Sequence, residues 1–231
     1  WGAVASAGPY PITDTTLPTT CALPFERKWG SFGTGAGQFR RPFGVGAGPG
    51  GEVVVADFDN GRLQLFDGQG TFVRQWSTAG GPVSVALDSH GHAVVSNLYA
   101  GSVQVFALDG TLVDQWATGS PYGLTVDATD HVYAVNDTAN VVTKYDHDGN
   151  IVLQFGSAGA GNGQFLRAWG VATAPGGDVF VTDINGHTVQ RFTAAGAFVA
   201  KWGSYGAGAG QLNAPAGISI SPVGVVYVSE V

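Results

Sequence analysis

The feature that most constrains this chain is its self-similarity. The segments VVVADFDNGRLQLF from Val53, AVVSNLYAGSVQVF from Ala93, VYAVNDTANVVTKY from Val132 and VFVTDINGHTVQRF from Val179 align on two apolar residues, a variable one and Asp or Asn, and VYVSE begins the phrase again at Val226. After each full copy comes a turn marked by Gly68 and Gly70, Gly110, Gly149 or Gly196, then an apolar run ending in Trp76, Trp116, Phe155 or Trp202. A further aromatic of this kind, Trp29, closes FERKW. From Trp29 onward these aromatics lie 47, 40, 39 and 47 residues apart, and each long interval carries an insert, GSFGTGAGQF at Gly30 or GSAGAGNGQF at Gly156. A third insert, GSYGAGAGQL, starts at Gly203. A repeat of this length is one supersecondary unit, which hides its apolar faces only by stacking on its neighbours.

Within each period, short apolar runs separated by Gly, Pro and Asp turns read as four strands, the make-up of a propeller blade. In the first copy they fall at roughly 43–47, 52–57, 62–67 and 71–76. The expected fold is therefore an all-β propeller with four complete blades, over about 43–76, 83–116, 122–155 and 169–202. A composite fifth blade is closed by both termini: 216–231 supply strands one and two, and Phe25 to Trp29 supply the fourth. Thr15 to Thr19 stand where its third strand belongs, although Pro18 cannot donate to a ladder. A truncated six-bladed ring is the alternative. Residues 1–20, rich in Thr, Pro and Ala, form an arm distinct from the propeller at 21–231. The first strands (GVG, VSVAL, GLTV, GVAT, GISI) are small or β-branched, as a crowded innermost strand requires, and Gly44, Gly123, Gly170 and Gly217 mark close backbone approach. The terminal Trp or Phe is expected to fill the wider space at the rim.

The run GQFRRPFGVGAGPGGEVVVADFDNGRLQLFDGQGTFVRQW closely resembles the NHL-repeat family, whose pattern is GQFxxPxGVA, then VYVaDxxNxRVQVF, then GxFvxxWG. The resemblance extends over about residues 22–231 and implies a closed ring of radial blades around a central channel.

Composition narrows the function. Hydrophobic residues at 44% and charged ones at 12% exclude intrinsic disorder. Ten Lys and Arg face seventeen acids, a net charge of −7, which places nucleic acid below protein or glycan as a partner. No apolar run approaches the roughly 20 residues of a membrane helix, and no signal peptide is visible at the N-terminus. Cys21, the single cysteine, excludes an internal disulfide. Low charge, 37 glycines and abundant Thr and Ala suit an extracellular, secreted protein, while the start at Trp1 and the lack of methionine fit a processed secreted chain and a trimmed one equally. GxSxG, P-loop and HExxH patterns are absent, and the GxGxxG-like runs lie in inserts without the strand–helix setting of a dinucleotide site. No cofactor is expected.

Three sets of residues remain as candidate sites. Asp57, Asn97, Asn136, Asp183 and Glu230 recur at the end of strand two and are expected to accept backbone N–H groups from the following turn rather than to hold a metal. His90, His92 and His131 fall between strands one and two, His147 between strands three and four, and His187 where another copy has Arg62. In amidating lyases, which resemble this chain at the level of fold, histidines of different blades converge on a channel metal. No three of these are equivalent, so neither a metal nor a catalytic centre is expected. Asn136-Asp-Thr138 matches the N-glycosylation pattern. The third set is a candidate binding face: Arg40, Arg41, Tyr122, Arg167 and Trp169 at the approach to strand one, with Phe58, Tyr99 and Ile184 between strands two and three. Phe43 and Leu98 accompany them, and such a group stacks on sugars, peptides or bases. The expected function is a non-catalytic extracellular binding or assembly module that presents a propeller face or an open blade edge to protein or glycan. The alternatives are a metal-dependent lyase or lactonase-type propeller, and a structural subunit of a head-to-tail assembly through self-association by strand exchange of the arm.

Overall fold

The computed structural model describes residues 27–231. The arm at 1–20, Cys21, and the strand residues expected at Thr15 to Thr19 and at Phe25 and Glu26 lie outside the described residues. Blade I consists of Pro42–Ala47, Val53–Asp57, Arg62–Phe66 and Phe72–Ser77. Blade II consists of Pro82–Leu87, His92–Asn97, Ser102–Ala107 and Leu112–Ala117. Blade III holds Pro121–Val126, Val132–Asn136, Val141–Tyr145 and Ile151–Phe155; blade IV holds Ala168–Thr173, Val179–Asp183, Thr188–Phe192 and Phe198–Trp202. Each is a four-stranded antiparallel sheet in chain order. Blade V is a pair, Pro215–Ile220 with Val226–Glu230. Among the described residues the only helical element is a single 3-10 turn, Phe58–Asn60.

The first strands stack on one another in order from blade I to blade V, which makes them innermost. Their glycines are required there. A Cβ at Gly44 would stand 2.6 Å from the Val83 carbonyl oxygen, one at Gly123 2.3 Å from that of Trp169, and one at Gly170 2.4 Å from that of Ala216. Hydroxyls tie a second strand to the first strand of the next blade: Ser96 Oγ donates to the Tyr122 carbonyl (2.8 Å) and Thr182 Oγ1 to that of Ala216 (2.9 Å).

The core lies between blades, not within them. One face of blade I (Val54, Ala56, Leu63, Leu65) meets the opposite face of blade II (Val85, Ala93, Val95, Phe106). Blades II and III meet through Val94, Val103 and Val105 against Leu124, Val132, Ala134 and Tyr145. Strand alternation therefore places apolar residues on both faces of every sheet, and each seam removes two such faces from water. The rim aromatics belong to these seams. Trp76 covers Gly110 of the next blade, Trp116 covers Gly149 and Phe155 covers Gly196, each glycine having positive φ. They are half-buried, so they cap the blade junctions rather than fill a closed rim core. Trp29 covers Gly70 in the same way, although Arg27 to Gly30 form no strand.

The residue before each third strand is left-handed: Gly61 (φ 61°), Gly101 (60°), Asn140 (56°) and His187 (54°). His187 is thus equivalent to Gly61, and Thr188, opposite Asp183, takes the position of Arg62, opposite Asp57. This corrects the alignment of His187 with Arg62 by one residue.

The two end faces of the array are open among the described residues. Val45 is 65% exposed where its equivalents Val85 and Val171 are 4%. Tyr227 is 47% exposed where Tyr133 is 1%. Gly217 meets only its own blade's Ser229, whereas Gly44, Gly123 and Gly170 meet the next blade's backbone.

Candidate functional site

The start of each first strand adjoins the end of the second. One backbone bond repeats there: Asp59 N–H to Arg40 carbonyl (3.1 Å), Leu98 to Gly81 (2.9 Å), Asp137 to Ser120 (3.3 Å), Ile184 to Arg167 (3.0 Å) and Val231 to Ala214 (3.3 Å). It brings the turn after strand two against the approach to the innermost strand, at one end of the innermost strands. The second residue of each innermost strand is Phe43, Val83, Tyr122, Trp169 or Ala216. Phe58, Val83 and Tyr122 form a buried nucleus, with Leu98 and Trp169 packed on it.

Around this nucleus the rings are contiguous. Phe43 meets Phe58 edge-on at 4.9 Å between centroids and Tyr122 at 6.4 Å; Phe58 meets Tyr99 at 5.2 Å; Tyr122 and Trp169 approach to 3.7 Å. Two guanidinium groups lie over them. Arg41 stands 5.0 Å from the Phe58 ring centre and Arg167 4.5 Å from that of Trp169. Each guanidinium has a carboxylate, Arg41 with Asp59 at 3.4 Å and Arg167 with Asp137 at 3.1 Å, so the cluster is amphipathic rather than basic. Ser120 Oγ donates to Asp137 and fixes it (2.9 Å). Burial raises the Tyr122 pKa, so its hydroxyl stays protonated and able to donate. Arg41 adopts φ 51°, a conformation that is uncommon for a side chain of its size and collects at functional sites. Tyr99 is 75% exposed and Phe43 45%, so the cluster presents ring surface to solvent over a packed base.

Of the eight residues expected on this face, the structure gathers Arg41, Phe58, Tyr99, Tyr122, Arg167 and Trp169. Arg40 turns toward the first insert and lies over Phe32 (5.8 Å), while Ile184 is joined through its backbone bond to Arg167. Asp59, Asp137 and Ser120 were missed. Asp59 and Asp137 follow the recurrent polar position by two and one residues, and that spacing was the available signal.

The recurrent polar position works structurally. The Asp57 carboxylate accepts from the Arg40 N–H, Asn60, Arg62 and Gln64, and Asp183 from the N–H groups of Leu166, Arg167 and Gly186. Three of these donors lie in the segment preceding strand one, two in the following turn and two in strand three. Asn136 accepts from the Ala139 N–H (2.9 Å) and donates to the Thr118 carbonyl (3.3 Å), so a glycan on its nitrogen would compete with the second of these bonds.

The histidines are dispersed. His92 pairs with Asp88 (2.9 Å) and His90 with Asp130 (3.4 Å) in the turns between strands one and two, at the other end of those strands from the aromatic cluster. His131 sits beside Thr129 (2.8 Å), and His187 accepts from the Ala214 N–H (3.1 Å). Among the described residues no group of three or more His, Cys, Asp or Glu is arranged to hold a metal ion. In the same turns, burial opposes ionisation of Asp127, but hydrogen bonds from Thr129 and the His131 backbone, with Lys144 nearby, hold its pKa at about 2.

The NHL repeat family matches at residues 39–66 and 165–192. The chain is 28% identical over 144 residues to Protein brain tumor of Drosophila melanogaster, an alignment spanning 57% of this chain and 14% of that protein. It is 46% identical over 48 residues to the B-box type zinc finger protein ncl-1 of Caenorhabditis elegans, spanning 21% of this chain and 6% of that one. The chain thus covers a small part of both relatives. Among solved structures it resembles a streptogramin B lyase, with a TM-score of 0.66, 15% identity, and coverage of 82% of this chain and 62% of that one. It also resembles the hydrazine synthase of Kuenenia stuttgartiensis, with a TM-score of 0.60, 14% identity, and coverage of 74% and 52%. At these identities the likeness is one of fold.

Proposed function

We propose that this chain, a β-propeller built of NHL repeats, is a non-catalytic protein-binding module whose ligand lies across the aromatic cluster at one end of its channel. The observation that carries this reading is the continuous set of rings Phe43, Phe58, Tyr99, Tyr122 and Trp169, flanked by Arg41 and Arg167. A packed base with exposed aromatic and guanidinium groups is the make-up of an interface hot spot: rigid rings lose little entropy on binding, and each guanidinium can lend hydrogen bonds while keeping its carboxylate. The chemistry that fits is a peptide or protein surface offering apolar side chains and backbone carbonyls. A glycan would use the same rings by stacking. A ligand that is mainly phosphate would meet Asp59 and Asp137 beside both cations. The low charge suits an extracellular setting, which immunodetection of the protein in culture medium against cell lysate would check.

The test is to recover partners with the intact chain and compare affinities by calorimetry with a Tyr99→Ala/Trp169→Ala variant. A loss of at least ten-fold is expected, and an unchanged affinity in a folded variant dismisses the face. A glycan array run beside it separates the ligand classes. The rival reading, a metal-dependent lyase or lactonase, requires one tightly held metal ion per purified chain, which elemental analysis measures directly.

A further inference from the structure

At the base of the aromatic cluster stands a hydroxyl without a hydrogen-bond partner among the described residues, that of Tyr122. Three tyrosines are buried in the described part of the chain. The hydroxyl of Tyr133 lies against Lys144 and Asp127, and that of Tyr145 against Thr143. Tyr122 is only 9% exposed, with its ring packed on Phe58 and Val83, and a phenol so buried ordinarily finds a partner. The sealed, unpartnered side-chain atoms among the described residues are Trp76 Nε1, Asn97 Oδ1 and Trp116 Nε1, so the Tyr122 oxygen is reached from solvent. The ring is held from below while the O–H faces outward as a donor.

Burial keeps this hydroxyl protonated, and Arg167, Asp137 and Arg41, in that order, are the charged groups that act on it. Both guanidinium groups hold most of their donors in reserve. Arg167 gives one hydrogen bond, from Nη2 to Asp137 (3.1 Å), and Arg41 stands 3.4 Å from Asp59 through Nη1 alone. Arg62, by contrast, engages all three of its nitrogens within the fold. Asp137, itself held by the Ser120 hydroxyl (2.9 Å), keeps the Arg167 guanidinium over the Trp169 ring. The openness here owes nothing to either end of the array, since Tyr99, Tyr122 and Trp169 belong to blades II, III and IV, each flanked on both sides.

This donor set selects its acceptor. A guanidinium fork and a phenol O–H together match a carboxylate. The second charge of a phosphate would meet Asp59 and Asp137, which already balance the two cations. A run of carboxylates would meet the chain's net charge of −7. A peptide's C-terminal carboxylate is typically captured by a nest of backbone N–H groups, and those of Asp59, Leu98, Asp137 and Ile184 are already given to carbonyls. One acidic side chain with apolar neighbours remains.

We propose, resting on the reading of this cluster as a peptide site, that it recognises a segment in which a single Glu or Asp is flanked by apolar residues. The carboxylate accepts from the Tyr122 hydroxyl and the Arg167 guanidinium, Arg41 adds its charge from the side of Phe58, and the flanking side chains lie on Trp169, Tyr99 and Phe43.

The probe is an array of heptapeptides, acetylated and amidated, with apolar residues varied around a centre fixed as Glu, Gln, Lys or phosphoserine. A further set carries Gln at the centre and a free C-terminal carboxylate. The intact chain should bind the Glu set best, and calorimetry on its strongest peptide should show a loss of about ten-fold or more when Glu becomes Gln. Tyr122→Phe should cut that preference about five-fold and leave the urea unfolding midpoint in place, because the hydroxyl bonds nothing in the free protein. Arg167→Gln should also cut the preference. Equal binding of Glu and Gln peptides, preference for phosphoserine or for the free C-terminus, or a preference that survives Tyr122→Phe overturns the proposal. If those peptides still lose affinity in the Tyr99→Ala/Trp169→Ala variant, the peptide site itself stands. Absent binding in every set, or binding indifferent to Tyr99→Ala/Trp169→Ala, overturns both.

Discussion

Replacing Arg62 by serine tests how blade I holds its first insert. All of the guanidinium's hydrogen-bonding nitrogens are engaged: Nε with Asp57 (2.7 Å), Nη1 with the Thr34 carbonyl (2.7 Å) and Gln75 (2.8 Å), and Nη2 with the carbonyls of Gly35 (2.9 Å) and Gln38 (2.7 Å). Arg62 is 7% exposed and Asp57 fully buried, so removing the cation leaves a buried carboxylate without its charge partner. Breaking such a pair costs about 3–5 kcal/mol. Asp57 keeps three neutral donors, the Arg40 N–H, Asn60 and Gln64, so the expected cost is at the lower end, about 3 kcal/mol. Blade II shows a neutral solution at the same positions, Asn97 opposite Ser102. The double variant Asp57→Asn/Arg62→Ser removes the stranded charge and should lose only about 1–2 kcal/mol. Equilibrium urea unfolding of the parent, both single variants and the double variant gives the coupling energy, and amide exchange of residues 30–39 reports the insert. A cost under about 1 kcal/mol for Arg62→Ser, or a double variant less stable than that single variant, refutes the reasoning.

Trp116→Ala should destabilise by about 2 kcal/mol, less than for a fully buried tryptophan because the ring is half-buried; urea unfolding measures it. Gly123→Ala puts a Cβ 2.3 Å from the Trp169 carbonyl oxygen and forces two innermost strands apart, so a loss of about 1–3 kcal/mol in the same assay is expected. Tyr99→Ala, at an exposed ring, should change stability by less than about 0.5 kcal/mol, which separates its binding role from folding. The Asp127 carboxyl is held at about 2 against an ordinary 3.8, so the folded state binds its proton less readily than the unfolded chain. Its contribution is complete above pH 4 and disappears as the pH falls toward 2, about 1 kcal/mol after screening by the solvent that reaches this turn. Thermal unfolding of Asp127→Asn between pH 2 and 5 should show that part of the acid dependence removed.

The sequence by itself determined the four complete blades and their strand order, because these follow from local chemistry that every copy repeats. An apolar–Asp/Asn phrase, a glycine turn and a terminal aromatic at fixed spacing leave one way to pair four strands in chain order. It also marked Gly44, Gly123 and Gly170 as points of close approach, since the absence of a side chain is visible in the letters. Six of the eight residues expected on the binding face meet because position along the first and second strands fixes which end of the innermost strands they occupy. Tertiary structure alone decided the rest. Arg40 and Arg41 are adjacent letters, yet one turns to the insert at Phe32 and the other, with positive φ, lies across Phe58; backbone conformation at a single residue separates them. The carboxylates of Asp59 and Asp137 make the cluster amphipathic, and only three-dimensional proximity pairs them with arginines. The rim tryptophans cap the glycines of the next blade, and Val45 and Tyr227 stand open where identical patterns elsewhere are sealed. Burial of a sheet face belongs to the pair of blades that share a seam, and a pattern written along one chain segment carries no record of whether its partner is present.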